Sequence, residues 1–301
     1  MAISSSGPRL RGWVGALLIA LLAGCAGGVW DAQGPVASAD RQMTLNALAI
    51  MLAIVVPTIA IALGAAWWFR ASNPRARRRP NWAYSGRIEL IVWSIPLLVI
   101  LFLSGVIWIG SHQLDPYRPL ASPGKPLEVQ VVSLDWKWLF IYPDEGIATV
   151  NQLTVPIGTP VHFSLTSATV MNAFFVPQLG SMVATMNGMV TQLHLQADRA
   201  GDYYGQSTQF SGDGFSGMHF VVHAVSRDQF EQWVSTARAS GDALDRAGYD
   251  ALARESKNVR PFTYRSVVPG LFQAIATLQI APAGGPTQGH GGRDVNPRSK
   301  D

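Results

Sequence analysis

The chain is short of thiols and short of charge. Its 301 residues include one cysteine, Cys25, so no intrachain disulfide and no multi-thiolate metal site can form. Charged residues supply only 14% of the sequence against 48% apolar, where soluble domains carry about a quarter charged. That balance argues against a soluble enzyme and for membrane segments beside a globular portion. The formal net charge of +4 is not a nucleic-acid signal either, because the cations are not spread. Arg70, Arg75, Arg77, Arg78, Arg79 and Arg87 crowd one stretch between two apolar runs, whereas residues 27–40 hold no Lys or Arg.

The first residues carry Arg9 and Arg11, then an apolar run over 13–22, then Ala23-Gly24-Cys25. A basic start, a short apolar stretch and small residues before a cut point describe a secretory signal peptide over 1–24. The apolar stretch is too short to span a hydrocarbon core, which needs roughly 20 residues. Leu22-Ala23-Gly24-Cys25 resembles a bacterial lipobox, in which the cysteine is lipidated and becomes the mature N-terminus. An incidental small residue is the plainer alternative, but the one cysteine falls where cleavage is expected. A single acyl anchor binds membranes weakly, so here it would supplement helices that already span.

Two such spans are expected, over 44–69 and 88–111, with an Arg-rich loop over 70–87 and a short segment over 25–43 before them. Each run is long and apolar enough to cross as a helix. Pro57 and Pro96 are tolerated in membrane helices, and Trp67, Trp68, Trp82, Tyr84 and Trp108 sit where interfacial anchors belong. The positive-inside rule makes the arginine loop cytoplasmic, so the mature N-terminus and everything after about residue 112 lie outside. The lipobox independently gives the same topology. Glu89, at the start of the second span, admits two readings. It is a hydrated interfacial carboxylate near Arg87, or a functional group, since intramembrane carboxylates are costly.

From residue 124 to 226 the pattern changes to short alternating strands with Gly/Pro turns, which predicts a β-sandwich. Strand signals run over 127–133, 136–142, 161–166, 190–195 and 218–225. Residues 227–280 read as a helical extension, with helical periodicity over 227–240 and a second piece over 269–278. The tail from 281 to 301 is rich in Gly, Pro and charge and reads as disordered.

Taken in order, four stretches carry a resemblance to subunit II of the heme–copper terminal oxidases. They are the segment 89–96 in the second span, Trp136-Lys137-Trp138, the run 174–180 and the run 201–206. In the cytochrome c-oxidising members, the last stretch continues into Cys-x3-Cys-x3-His-x2-Met, and a further His precedes the Phe-x-Val-Pro segment. Together they hold a dinuclear copper centre, whose thiolate bridges select such copper. Here the corresponding positions read Asn172, Ser207, Gln209, Ser211, Phe215 and Met218, of which only the methionine is kept. Hydroxyl and phenyl groups cannot replace the bridging thiolates and imidazoles, so no metal is expected in this chain. Loss of the centre marks the quinol-oxidising branch, and residues 133–143 resemble the bo-type ubiquinol oxidases closely.

The resemblance implies a two-helix hairpin, a cupredoxin-like Greek-key sandwich and a short helical C-terminal extension. It implies subunit II of a proton-translocating quinol:oxygen oxidoreductase in the bacterial inner membrane, with the sandwich in the periplasm. Hemes, a copper ion and the ubiquinol site would belong to subunit I. The partners would be subunit I, other small membrane subunits and lipid, and neither cytochrome c nor nucleic acid. Glu89 matches a glutamate at the mouth of a proton-uptake channel, which favours its functional reading. Two other functions stand beside this one: a cytochrome c oxidase subunit with a degenerate copper site, and a stand-alone membrane lipoprotein with a binding module.

The remaining candidates read as structure. His219 and His223 share a strand face but lack a third metal ligand. Met182, Met186, Met189 and Met218 read as core filler, and Trp136 and Trp138 as packing. No base and orienting group accompany Ser207 or Ser211 to make a nucleophile.

Overall fold

The computed structural model describes residues 28–77, 80–122, 124–284 and 293–294. The expected signal peptide and Cys25, with Arg78 and Arg79, lie outside the described residues. The chain divides into two compact units, residues 39–115 and residues 1–38 with 116–301.

Two helices make the first unit. α1 runs Pro35–Trp68 and α2 runs Gly86–Gln113; both are long and apolar enough to cross a membrane. α1 begins about ten residues before the apolar run that announced it. Pro35 is the reason: proline's fixed φ suits the first helical position, where its missing N–H is no loss. At 1.5 Å per residue the helix is about 50 Å long, beyond a hydrocarbon core of about 30 Å, so its first turns, with Asp40 and Arg41, need no apolar solvent. The short segment expected over 25–43 is therefore helical from Pro35 onward. Gly110 of α2 is where Met43 of α1 packs, a Cβ there coming 2.0 Å from the methionine methyl.

The second unit is a sandwich. Its strands are β1 Leu127–Leu134, β2 Lys137–Tyr142, β3 Ile147–Val150, β4 Gln152–Pro156, β5 Val161–Ser167, β6 Asn172–Phe175, β7 Val183–Thr185, β8 Thr191–Leu195, β9 Gly201–Ser207 and β10 His219–Val225. One sheet has the order β3-β2-β1-β5-β8 and the other β4-β10-β9-β6-β7. The pairs β1–β5 and β4–β10 are parallel and therefore joined by crossovers. Between the sheets, Trp138, Phe140, Phe174 and Phe220 are fully buried and meet edge-on, tilted or stacked, with ring centroids 5.1–6.3 Å apart. Each such ring contributes roughly 1.5–3 kcal/mol of burial.

The helical extension proves to be part of the sandwich. It holds α3 Arg227–Ala239, α4 Arg246–Leu252 and α5 Leu271–Ala276, and its strand Phe262–Tyr264 pairs antiparallel with β3 as the edge of the first sheet. Ser226 and Gln229 close α3 with a reciprocal capping box. Tyr249, Leu252, Phe262, Tyr264, Phe272 and Ile275 form a second core with Val132, Leu134, Leu139 and Ile141 on the outer face of that sheet. Strand β2 is consequently buried at every position, which is why its sequence is apolar on both faces. Where composition reads as a disordered tail, Ala283 N–H donates to the Ala168 carbonyl at 3.2 Å and Arg293–Asp294 pairs with Ser256–Lys257.

Residues 31–37 strap this unit. The Gln33 amide donates to the Gln178 carbonyl at 2.8 Å, and the Gln33 carbonyl accepts from the Asp198 amide at 2.8 Å. Val36 packs onto Gly180 and Leu195.

Candidate functional site

Of the six positions expected to correspond to the copper motif, Asn172, Ser207, Gln209 and Met218 meet at one end of the second sheet. Asn172 opens β6 and is buried, and Ser207 closes β9 and is buried. Their side chains meet: Ser207 Oγ donates to Asn172 Oδ1 at 3.2 Å and lies 3.3 Å from the Gln209 carbonyl. The Ser207 amide donates to the Met218 carbonyl at 3.2 Å, which fastens the two ends of the loop. Met218 is buried in the core. Phe215 lies in a single 3₁₀ turn, Phe215–Gly217, with its ring 5.6 Å from exposed Phe210. Ser211 contributes its carbonyl to Trp136 Nε1 at 3.1 Å, while its own Oγ is buried without a hydrogen-bond partner among the described residues.

This donor set does not fit a dinuclear copper centre. Such a centre needs two bridging thiolates, and an amide, two hydroxyls and a phenyl stand in those places. Two of these residues, Asn172 and Ser207, satisfy each other by hydrogen bonding, while Ser211 Oγ is left unpartnered among the described residues. What the arrangement can do is shape a loop, and it offers neither a nucleophile with a base nor a redox centre.

Beneath the loop, Trp136 occupies the turn between β1 and β2 with φ of 61°. A left-handed backbone is unfavourable for an aromatic residue, and packing holds it there: a Cβ on Gly214 would come 2.2 Å from the indole. Trp136 and Trp138 thus pack, as their pattern predicts. Next in sequence, Lys137 is fully buried. Its ammonium donates to the Asp135 carbonyl at 3.2 Å, to the Arg254 carbonyl at 2.8 Å and to Ser256 Oγ at 2.8 Å. Burial pushes its pKa down from 10.5 to about 8, opposed by the charges of Asp135 and Glu255. Burial likewise raises the Asp135 carboxyl, with the Thr169 hydroxyl at 2.7 Å pulling the other way. Sequence reasoning passed over this cation; the signal was a lysine between two tryptophans in a strand with no polar face.

The other candidates separate. Glu89 stands in the first turn of α2, exposed, its amide bonded to the Ser85 carbonyl at 3.0 Å. An acidic side chain there complements the helix dipole. His223 Nδ1 is 2.7 Å from Asp202 Oδ1, and His219 stacks on Tyr204, so the two histidines face different partners. Of the methionines expected as core filler, Met218 is buried and Met186 half-buried, but Met182 and Met189 are exposed. Short irregular turns flank β7, and the core lies on its other side. Glu128 and His162 also escaped notice; Glu128 Oε2 lies 2.7 Å from His162 Nδ1.

Residues 144–225 match the family described as cytochrome c oxidase subunit II, periplasmic domain, and residues 238–282 match the aromatic-rich motif of the same proteins. Over 269 residues the chain is 48% identical to the ubiquinol oxidase subunit 2 of Acetobacter aceti, covering 89% of this chain and 86% of the relative. It is 45% identical to the cytochrome bo(3) ubiquinol oxidase subunit 2 of Pseudomonas aeruginosa, over 88% of this chain and 80% of that one. Among solved structures, the periplasmic domain of cytochrome oxidase subunit II from Bradyrhizobium japonicum covers 40% of this chain and 98% of its own, at 24% identity and a TM-score of 0.38.

Proposed function

From the premise that this chain belongs to the subunit II family of the ubiquinol oxidases, we propose that it serves its complex without carrying electrons itself. It is a subunit of a quinol oxidase, and its sandwich is the copper-free form of the family's periplasmic domain. What supports the reading is that Asn172, Ser207, Ser211 and Phe215 stand at the positions the resemblance matches to four copper ligands, and none of them can act as a bridging thiolate or imidazole; two of them are hydrogen-bonded to each other. A complex whose subunit II cannot accept electrons from a soluble cytochrome takes them from a donor within the membrane, ubiquinol. The hemes, the copper ion and the quinol site then lie in subunit I, where oxygen is reduced to water.

In this proposal α1 and α2 cross the bacterial inner membrane with the arginine loop in the cytoplasm, and Cys25 is lipidated outside. The sandwich stabilises subunit I from the periplasmic side, alongside the complex's other small membrane subunits. Glu89, exposed in the first turn of α2, takes protons from cytoplasmic water for the uptake channel of subunit I. Its exposed place at a helix start beside the arginine loop supports this, since a carboxylate there is open to cytoplasmic water.

Gentle solubilisation tests the assignment to a complex. The chain migrates with heme if the proposal holds, and runs free of heme if it is a stand-alone lipoprotein.

A further inference from the structure

On the outer face of the first sheet, Glu128, His162 and His194 form one row across β1, β5 and β8. Glu128 pairs in register with His162, and His162 with His194. Their neighbours Val129, Phe163 and Leu193 point into the core, so alternation turns the three polar side chains away from it. The imidazoles are stacked, with ring centroids 4.6 Å apart and planes within 16°. His162 Nδ1 is 2.7 Å from Glu128 Oε2, and His162 Nε2 is buried without a hydrogen-bond partner among the described residues. His194 is mostly buried, and both its amide and its Nδ1 lie 3.1 Å from the Pro116 carbonyl. Pro116 stands three residues beyond the end of α2. His194 thus holds Pro116 within the sandwich unit, and it is stacked on a second titratable ring.

We propose that Glu128, His162 and His194 form a proton-operated latch on the linker at Pro116. One proton is accommodated: the ring beside Glu128 gains an ion pair. A second proton puts two cations at the stacking distance, where like charges in partly buried surroundings repel strongly. The repulsion separates the rings, and His194 releases Pro116 as it moves. Imidazoles are the side chains that ordinarily change charge between about pH 5 and 8, so the latch opens on mild acidification.

The charges around it do not reverse this logic. From β1 only Glu128 faces the pair, and Lys125, just before β1, is ion-paired to Asp144 at 2.8 Å and also feels Glu128. Asp115 and Arg118 flank Pro116 with opposite signs, and Tyr117 lies between them. On β5 and β8 the next residues of the same face, Ser164 and Gln192, are uncharged. The physiological meaning rests on the proposed topology, which puts this face on the side of the membrane that respiration acidifies; the latch itself is testable without it.

The test is hydrogen exchange at the His194 amide in the purified, detergent-solubilised complex at pH 7.5 and pH 5.0, corrected for intrinsic rates. Protection at His194 falls about tenfold or more, while an amide within the β1–β2 ladder keeps its protection. In His162→Phe, which keeps a stacked ring that cannot be charged, protection at His194 stays level across the range. Equal protection of the parent at both pH values overturns the latch, as does a fall of the same size in His162→Phe. Should that variant not assemble, the parent series decides alone.

Discussion

Raising the pH should make the sandwich more stable, and Lys137 is the reason. In the unfolded chain a lysine holds its proton to about 10.5, whereas burial lowers the folded value to about 8. Below pH 8 both states carry the proton and the full cost of burying it is present. Above pH 8 the folded state releases the proton while the unfolded state keeps it, so stability rises with pH. From pH 8 to 9.5 the gain is 1.5 pH units at about 1.4 kcal/mol each, or about 2 kcal/mol. For a unit of this size that raises Tm by roughly 4–8 °C. The window must close before pH 10, because buried Tyr249, pushed up to about 12, and Tyr142, pushed higher still, favour folding less once unfolded tyrosines ionise. Thermal unfolding followed by near-ultraviolet circular dichroism at pH 7.5, 8.5 and 9.5 reads the effect, with Lys137→Met as the control whose profile should be flat. A parent Tm that is constant or falls over this window refutes the reasoning, and so does a Lys137→Met profile that climbs in parallel.

Three further outcomes are expected. Gly34→Ala would put a methyl 2.1 Å from the Gln196 carbonyl oxygen; the strap over 31–37 should lift, costing about 1–3 kcal/mol and exposing the Gln33 and Asp198 amides to exchange. Glu89→Gln, if Glu89 feeds proton uptake, should slow quinol turnover and heme reduction while leaving assembly intact, and parent-level rates would reduce it to an interfacial residue. Restoring the ligands together, with Asn172→His, Ser207→Cys, Ser211→Cys and Phe215→His beside the retained Met218, should give a chain that binds copper with intense visible thiolate absorption; absence of that absorption in a folded variant would mean the loop no longer has the required shape.

Much of this architecture was legible in the residues because it depends on local patterns. The apolar runs around Pro57 and Pro96 gave two spans, and the alternation over 127–133 and 218–225 gave strands. The correspondence of Asn172, Ser207, Ser211 and Phe215 to copper ligands comes from a motif that fixes their spacing, and Asn172 and Ser207 are hydrogen-bonded at one end of a sheet. What stayed hidden depends on partners distant in sequence. The apolar β2 strand looked like one face of a sandwich, since nothing local says that Tyr249, Leu252 and Phe272 cover its other side. Helix α4, at seven residues, is too short for periodicity to declare, though Asp245 caps it by accepting from the Gly248 amide at 2.7 Å. Lys137 and the Glu128–His162–His194 row share the same cause: each is a polar residue in a strand whose partners come from elsewhere.

The central claim is that loss of the copper site fixes the electron donor, and the donor can be measured directly. The purified heme-containing complex, given ubiquinol or reduced cytochrome c in turn under oxygen, should consume oxygen with the quinol and not with the cytochrome. It should also lack near-infrared absorption from mixed-valence copper. Oxidation of cytochrome c, or that absorption band in the parent complex, would contradict the account.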